Sequence, residues 1–201
     1  MKIKKLLTAS MVGISLTAFP AITAMPAESL PSASTTSTTP SLHSDNGPTE
    51  EEIKEVIFSH QIKRDGGIEL FDAESAERDN VDPRIVEVGK IYNNIILEEK
   101  ALTDPGLVEE VVPFENYGNW CGPTNSGPGD PINSLDRACM GHDHCLNVNR
   151  DTCTCDQEFV NNLRYLRGEY PWGVSFEGDH ARGYLEAAII GVPLYHGCGN
   201  L

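Results

Sequence analysis

The chain has 201 residues and a formal charge of -15, with 30 acids against 15 lysines and arginines, a balance that argues against a nucleic-acid partner. All six cysteines, 121, 139, 145, 153, 155 and 198, follow position 120, so a small C-terminal part that disulfides can staple follows a cysteine-free first half. Beyond the N-terminus no stretch approaches the ~20 apolar residues of a spanning helix, which excludes a transmembrane segment there.

Lys2, Lys4 and Lys5 precede an apolar run from Leu6 to Phe19, and the small residues Ala21 and Ala24 follow. This reads as a signal peptide over 1–24 and predicts a secreted, extracellular protein. Ile22 stands where a small residue is expected, so the cut after Ala24 is placed only to within several residues. Without the three lysines, the leader's only charges, the charge is -18. Residues 50–112 carry 17 acids and 7 bases, and 113–201 carry 11 acids and 5 arginines, so both parts are acidic. Such a surface suits zwitterionic lipid or a divalent cation better than a strongly anionic membrane.

Residues 25–49 are rich in Ser, Thr and Pro and read as a disordered linker. Thr49 with Glu52 forms a capping-box pattern, and Ile53, Val56, Ile57 and Gln61 follow at helical spacing, predicting a helix over 50–64 that Gly66 and Gly67 stop. A second helix starts at Asp82 and Pro83 and carries Ile85, Val88, Ile91, Tyr92, Ile95 and Ile96 on one stripe as far as about Leu102. Asp104, Pro105 and Gly106 break it, and Val108 to Val112 lead into the cysteine-rich part. The acidic helical segment 50–112 is a propeptide or an integral layer.

The domain 113–201 opens on Tyr117-Gly118-Asn119-Trp120-Cys121-Gly122, followed by a turn-rich loop from Ser126 to Pro131. Asn133 caps a helix on which Leu135, Cys139, His142 and Leu146 share one stripe, with Asp143 rotated ~100° away. A helix over roughly Thr154–Arg167 presents Asp156, Phe159, Leu163 and Leu166 on a facing stripe, giving two antiparallel helices tied by cystines. A third helix is predicted over Asp179–Ile190, before Gly191, Pro193 and Cys198.

Hydrolysis of an ester by an activated water needs a base, a group to orient it, and stabilisation of the oxyanion. His142 is the candidate base, and Asp156 on the facing helix its orienter. Asp143 points elsewhere and suits a cation; calcium fits a carboxylate combined with carbonyls of the Trp120–Thr124 loop. Two plainer readings and one sharper rival compete. His142 can be a satisfied structural histidine, and Asp156 a helix cap. Zinc can bind among Cys139, His142, His144, Cys145, Cys153 and Cys155, although an oxidising compartment disfavours thiolates.

The segment from Tyr117 to Leu166, about a quarter of the chain, resembles secreted phospholipase A2, both plant-type and venom or pancreatic. The plant-like features are Tyr117-Gly118-x-x-Cys121-Gly122, Ser126-Gly127-Pro128-Gly129 and Cys139-Met140-x-His142-Asp143-His144-Cys145. Leu135-Asp136-Arg137 and Cys153-Thr154-Cys155-Asp156 look like the animal enzymes.

The resemblance implies an all-α, disulfide-stapled domain with two antiparallel catalytic helices and a calcium loop, preceded by the acidic helical segment. His142 would activate water, Asp156 would bond His142, and the Gly122 amide would help the oxyanion. Calcium would be held by Asp143 and the carbonyls of Trp120, Gly122 and Thr124. The implied disulfides are Cys121 to Cys139, Cys145 to Cys155 and Cys153 to Cys198, because Ala138 and Asn162 stand where another bridge would lie. Thr124 departs from the animal glycine, and Leu146 from a tyrosine supporting the buried acid, whose network must be reduced or completed by another residue.

The implied activity is calcium-dependent cleavage of the sn-2 ester at a phospholipid membrane or micelle interface. Trp120, Tyr170, Trp172 and Phe176 are candidates for the lipid-facing rim. The alternative is a catalytically silent module of the same scaffold that binds lipid or a protein.

Overall fold

The computed structural model describes residues 46–64, 67–104, 116–148, 150–199 and 201. The expected leader, the linker as far as residue 45 and the Val108–Val112 stretch lie outside the described residues.

Helix α1 (Glu50–Ser59) opens on a reciprocal cap: the Thr49 hydroxyl accepts from the Glu52 amide at 3.2 Å, and the Glu52 carboxylate accepts from the Thr49 amide at 2.8 Å. Ile53 and Ile57, one turn apart, are fully buried. The helix ends at Ser59, short of the expected residue 64. Strand β1 (Gln61–Lys63) instead pairs antiparallel with β2 (Glu69–Phe71), Ile62 opposite Leu70. The β-branched Ile62 and Gly67, held at φ +78°, favour a hairpin; Gln61 misled the periodicity by standing one turn after Ile57. So short a ribbon needs outside support. Asn93 provides it, accepting from the Phe71 amide at 2.7 Å and donating to the Phe71 carbonyl at 2.8 Å. A short helix α2 (Ala73–Arg78), capped by Asp72, was not expected from the pattern.

Helix α3 (Pro83–Thr103) begins at the expected Asp82 cap and buries Ile85, Val88, Ile91, Tyr92, Ile95 and Ile96. It packs along α6 (Phe176–Tyr195), which is buried on nearly every face from Ala181 to Ile190. Gly183 and Gly191 permit the close approach: a Cβ on either would lie 3.2–3.3 Å from Ile91 or Ile95. The same packing explains why α6 outruns the expected Asp179–Ile190. Ser175 caps it one turn earlier, Gly191 serves the contact instead of ending the helix, and Pro193 sits in its last turn.

Helices α4 (Ser134–Asn147) and α5 (Thr152–Leu166) form the pair expected from the sequence, with Asp151 as the second cap. One apolar core runs through Ile53, Val88, Ile91, Leu135, Leu163 and Leu185. The described part of the acidic segment therefore shares its burial with the cysteine-rich helices. A partly buried ion network reinforces this. Glu50 accepts from Arg164 at 2.8 Å and Arg167 at 2.7 Å, and Arg167 and Arg182 both donate to Glu186, at 2.6–2.8 Å. Burial works against the Glu50 charge, but hydrogen bonds from Arg164, Lys54 and Arg167 outweigh it and hold the carboxyl far below its ordinary range.

Candidate active site

Cys145 is bonded to Cys155, and three residues earlier on α4 His142 meets Asp156 and Phe159, so the two helices run antiparallel with the histidine against the acid. His142 Nε2 lies 2.8 Å from Asp156 Oδ1. An ionised carboxylate only accepts, so Nε2 carries the proton and Nδ1 is left with its lone pair. The imidazole also stacks on Phe159, with ring centroids 4.5 Å apart and planes 18° from parallel. Bond and stack together fix the ring, which is what a general base requires.

Asp156 is wholly buried. Burial raises the cost of its charge, but hydrogen bonds from His142 and from a second imidazole, His196, hold its carboxyl below the ordinary value. His196 Nδ1 lies 2.9 and 3.0 Å from the two Asp156 oxygens. Hydrogen bonding to Asp156 raises the His196 pKa in turn. The motif reading missed His196. The available signal was its place two residues before Cys198, the expected partner of Cys153.

His142 opens onto a cavity of about 190 Å³, lined also by Asp143, Trp120, Gly122, Ser126 and Glu99. Asp143 Oδ2 is buried there and has no hydrogen-bond partner, and burial raises the Asp143 pKa. A partnerless carboxylate oxygen beside an irregular loop is the donor set a hard divalent cation takes, so these residues fit calcium. Of the expected loop ligands, Trp120 and Gly122 line the cavity. Thr124 is exposed and is not among the lining residues.

Gly122 holds its turn at φ +131°, where any side chain is strained and a Cβ would collide with Asn116. The loop is fastened by Asp136, whose fully buried carboxylate accepts the amides of Asn119 at 3.0 Å, Trp120 at 2.8 Å and Ile132 at 2.9 Å. Cys121–Cys139 ties the same loop to α4 covalently.

The third disulfide is Cys153–Cys198, so all three pairings match the expectation. With every cysteine oxidised, thiolate zinc binding is ruled out. The rim candidates divide. Phe176 is 89% exposed and Trp120 reaches the cavity, but Trp172 is buried at 8%, with Arg182 over its ring at 5.4 Å. The Tyr170 hydroxyl is within hydrogen-bonding distance of Ser134 and the Leu135 amide. Trp172 is therefore core, because aromatic content alone does not distinguish core from surface, while Tyr170 is half-buried. His144 is exposed and packs edge-on against Trp120.

A probable phospholipase A2 homolog 2 of Oryza sativa subsp. japonica is 30% identical to the chain over 95 residues, 43% of this chain and 62% of its own length. A phospholipase A2 of Bos taurus is 36% identical over 61 residues, 28% and 41% of the two chains, and phospholipase A2 SSD387 of Scolopendra dehaani 35% identical over 60 residues, 29% and 36%. This chain is related to the phospholipases A2. It spans less than two thirds of the length of these relatives. No family model matches the chain, and no solved structure matches it at the level of these relatives. Where the phospholipase A2 resemblance calls for a tyrosine near the buried acid, this chain has Leu146 on the cavity wall and His196 on the acid.

Proposed function

We propose that this protein is a secreted, calcium-dependent phospholipase A2 that hydrolyses the sn-2 acyl ester of glycerophospholipids. The observation that carries the reading is the 2.8 Å bond from His142 to buried Asp156 at a cavity that also holds the partnerless Asp143 oxygen. The relatives' names support the lipid substrate. Three disulfides and the signal-like N-terminus support secretion.

His142 Nδ1 takes a proton from water as the water oxygen attacks the ester carbonyl carbon. Asp156 offsets the positive charge that develops on the imidazole and keeps Nε2 protonated. The Gly122 amide donates to the oxyanion. As the tetrahedral centre collapses, His142 returns the proton to the departing glycerol oxygen, leaving a fatty acid and a lysophospholipid. Asp143 and the carbonyls of Trp120 and Gly122, the loop residues that line the cavity, would hold calcium, which would supply positive charge for the oxyanion when bound.

Phe176 and Trp120 are the lipid-facing aromatics, and the acidic surface favours zwitterionic interfaces. The test is fatty-acid release from phosphatidylcholine mixed micelles with calcium or with chelator. Unchanged turnover in chelator excludes the calcium role. Calcium binding without turnover on any headgroup supports a silent module instead. Because α1 and α3 share the core, residues 50–104 are an integral layer in this account, and sequencing the N-terminus of the active secreted form checks it.

A further inference from the structure

We propose that His196 is a second positioning residue for the buried acid: it fixes the Asp156 carboxylate that orients His142, and the Cys153–Cys198 disulfide holds it there. The proposal deepens the hydrolase reading and rests on it for its kinetic consequences, though not for its geometry.

Asp156 has no access to water, so each of its oxygens must find a donor within the protein. Leu146 cannot donate. Oδ1 receives His142 at 2.8 Å and also lies 3.0 Å from His196 Nδ1, while Oδ2 lies 2.9 Å from the same nitrogen. With His142 alone the carboxylate could rotate about its Cβ–Cγ bond and leave one oxygen without a donor. His196 spans both oxygens and removes that freedom.

His196 follows the last residue of α6, its amide bonded to the Val192 carbonyl at 3.1 Å. Helix ends fray, and this one carries Pro193, so the position needs an anchor. Cys198 lies two residues beyond His196. Its partner Cys153 lies three residues before Asp156, about one turn of α5. The bridge thus clamps the end of α6 onto the turn that carries the acid. Its sequence separation of 45 makes it the longest covalent closure in the chain.

The groups facing this imidazole are Asp156 from α5, Glu99 from α3, and His142 with Asp143 beyond it from α4. Acids predominate, which favours the donating form of His196.

The bond is made by Nδ1, and this dictates the test. The amide nitrogen of Asn stands the same number of bonds from the backbone as His Nδ1, that of Gln one bond further, and Ala has no donor. In the intact secreted protein, His196→Ala should lower kcat by on the order of 10- to 100-fold, a fraction of the ~10²–10⁴-fold a general base contributes, with KM unchanged. His196→Asn should recover to within a few-fold of wild type, and His196→Gln should not. A second readout needs no substrate: ¹⁵N NMR of His142 should show the Nε2-protonated tautomer in wild type and His196→Asn, and a mixed tautomer population in His196→Ala and in Cys153→Ser/Cys198→Ser.

If the wild type releases no fatty acid, the hydrolase reading fails while the NMR comparison still tests His196. His196→Ala with wild-type kcat and an unchanged His142 tautomer overturns the proposal. So do equal losses in Asn and Ala that track melting temperature alone, because they reduce His196 to packing.

Discussion

The Asp136 carboxylate, buried in the first turn of α4, accepts the Trp120 amide at 2.8 Å, so the loop carrying Gly122 hangs from the helix that carries His142 and Asp143. Neither end of the site can shift without the other. Asp136→Ala strands the amides of Asn119, Trp120 and Ile132 and should cost about 3 kcal/mol, which for a domain of this size lowers the melting temperature by roughly 6–12 °C. Calcium affinity should fall with it. Calorimetry with and without calcium reads both effects.

Glu50 ties the first helix to Arg164 of α5 and, through Arg167, to Glu186 of α6. Removing one member of such a partly buried group leaves poorly compensated charge, and Glu50→Ala should destabilise by about 2 kcal/mol near neutral pH. The Glu50 pKa is depressed in the folded protein, so its contribution is complete above the unfolded carboxyl value of 4.5 and lost as pH falls through the folded one. The wild-type and Glu50→Ala melting curves should converge toward pH 2. A constant gap between pH 7 and pH 2 would show that the loss comes from packing.

The helices on either side of the site were legible because Asp82 with Pro83, and Asn133, are strong start signals ahead of clean apolar stripes. The His142–Asp156 pairing was legible because the stripes containing them face each other and cysteines fix the register. The hairpin was not, since three-residue strands show too little alternation to outweigh a helical run continuing from Ile57. His196 was not, since a lone histidine past a helix end has no local pattern; only the Cys153–Cys198 closure carries it to Asp156. Trp172 was misplaced for a related reason: it lies in the turn before α6, and the arginine over its ring, Arg182, comes from inside that helix.

Glu98 is buried on α3, and its Oε1 has no partner. Burial, with the neighbouring charge of Glu99, pushes its pKa up to about 7. The folded protein therefore holds a proton that the unfolded chain loses near pH 4.5, and this carboxyl makes the fold less stable as pH rises from there to about 7. Glu98→Gln should melt higher than wild type at pH 8 and nearly with it at pH 4. An equal effect at both values would remove ionisation as the cause.

Asp143 carries a similar penalty until a cation neutralises it, since burial raises its pKa and Oδ2 has no partner. Asp143→Asn should therefore melt at or above the wild type in chelator, while the wild type alone gains stability as calcium is added. A calcium-dependent rise of equal size in the variant would place the ion elsewhere.

The proposed reaction is activation of water by His142, held by Asp156, against the sn-2 ester. It is tested most directly with phosphatidylcholine labelled in the sn-2 chain, comparing wild type and His142→Gln in calcium. Labelled free fatty acid and unlabelled lysophospholipid are expected from the wild type, with turnover lower by roughly 10²–10⁴-fold in the variant. Label retained in the lysophospholipid, or full turnover by His142→Gln, would contradict it.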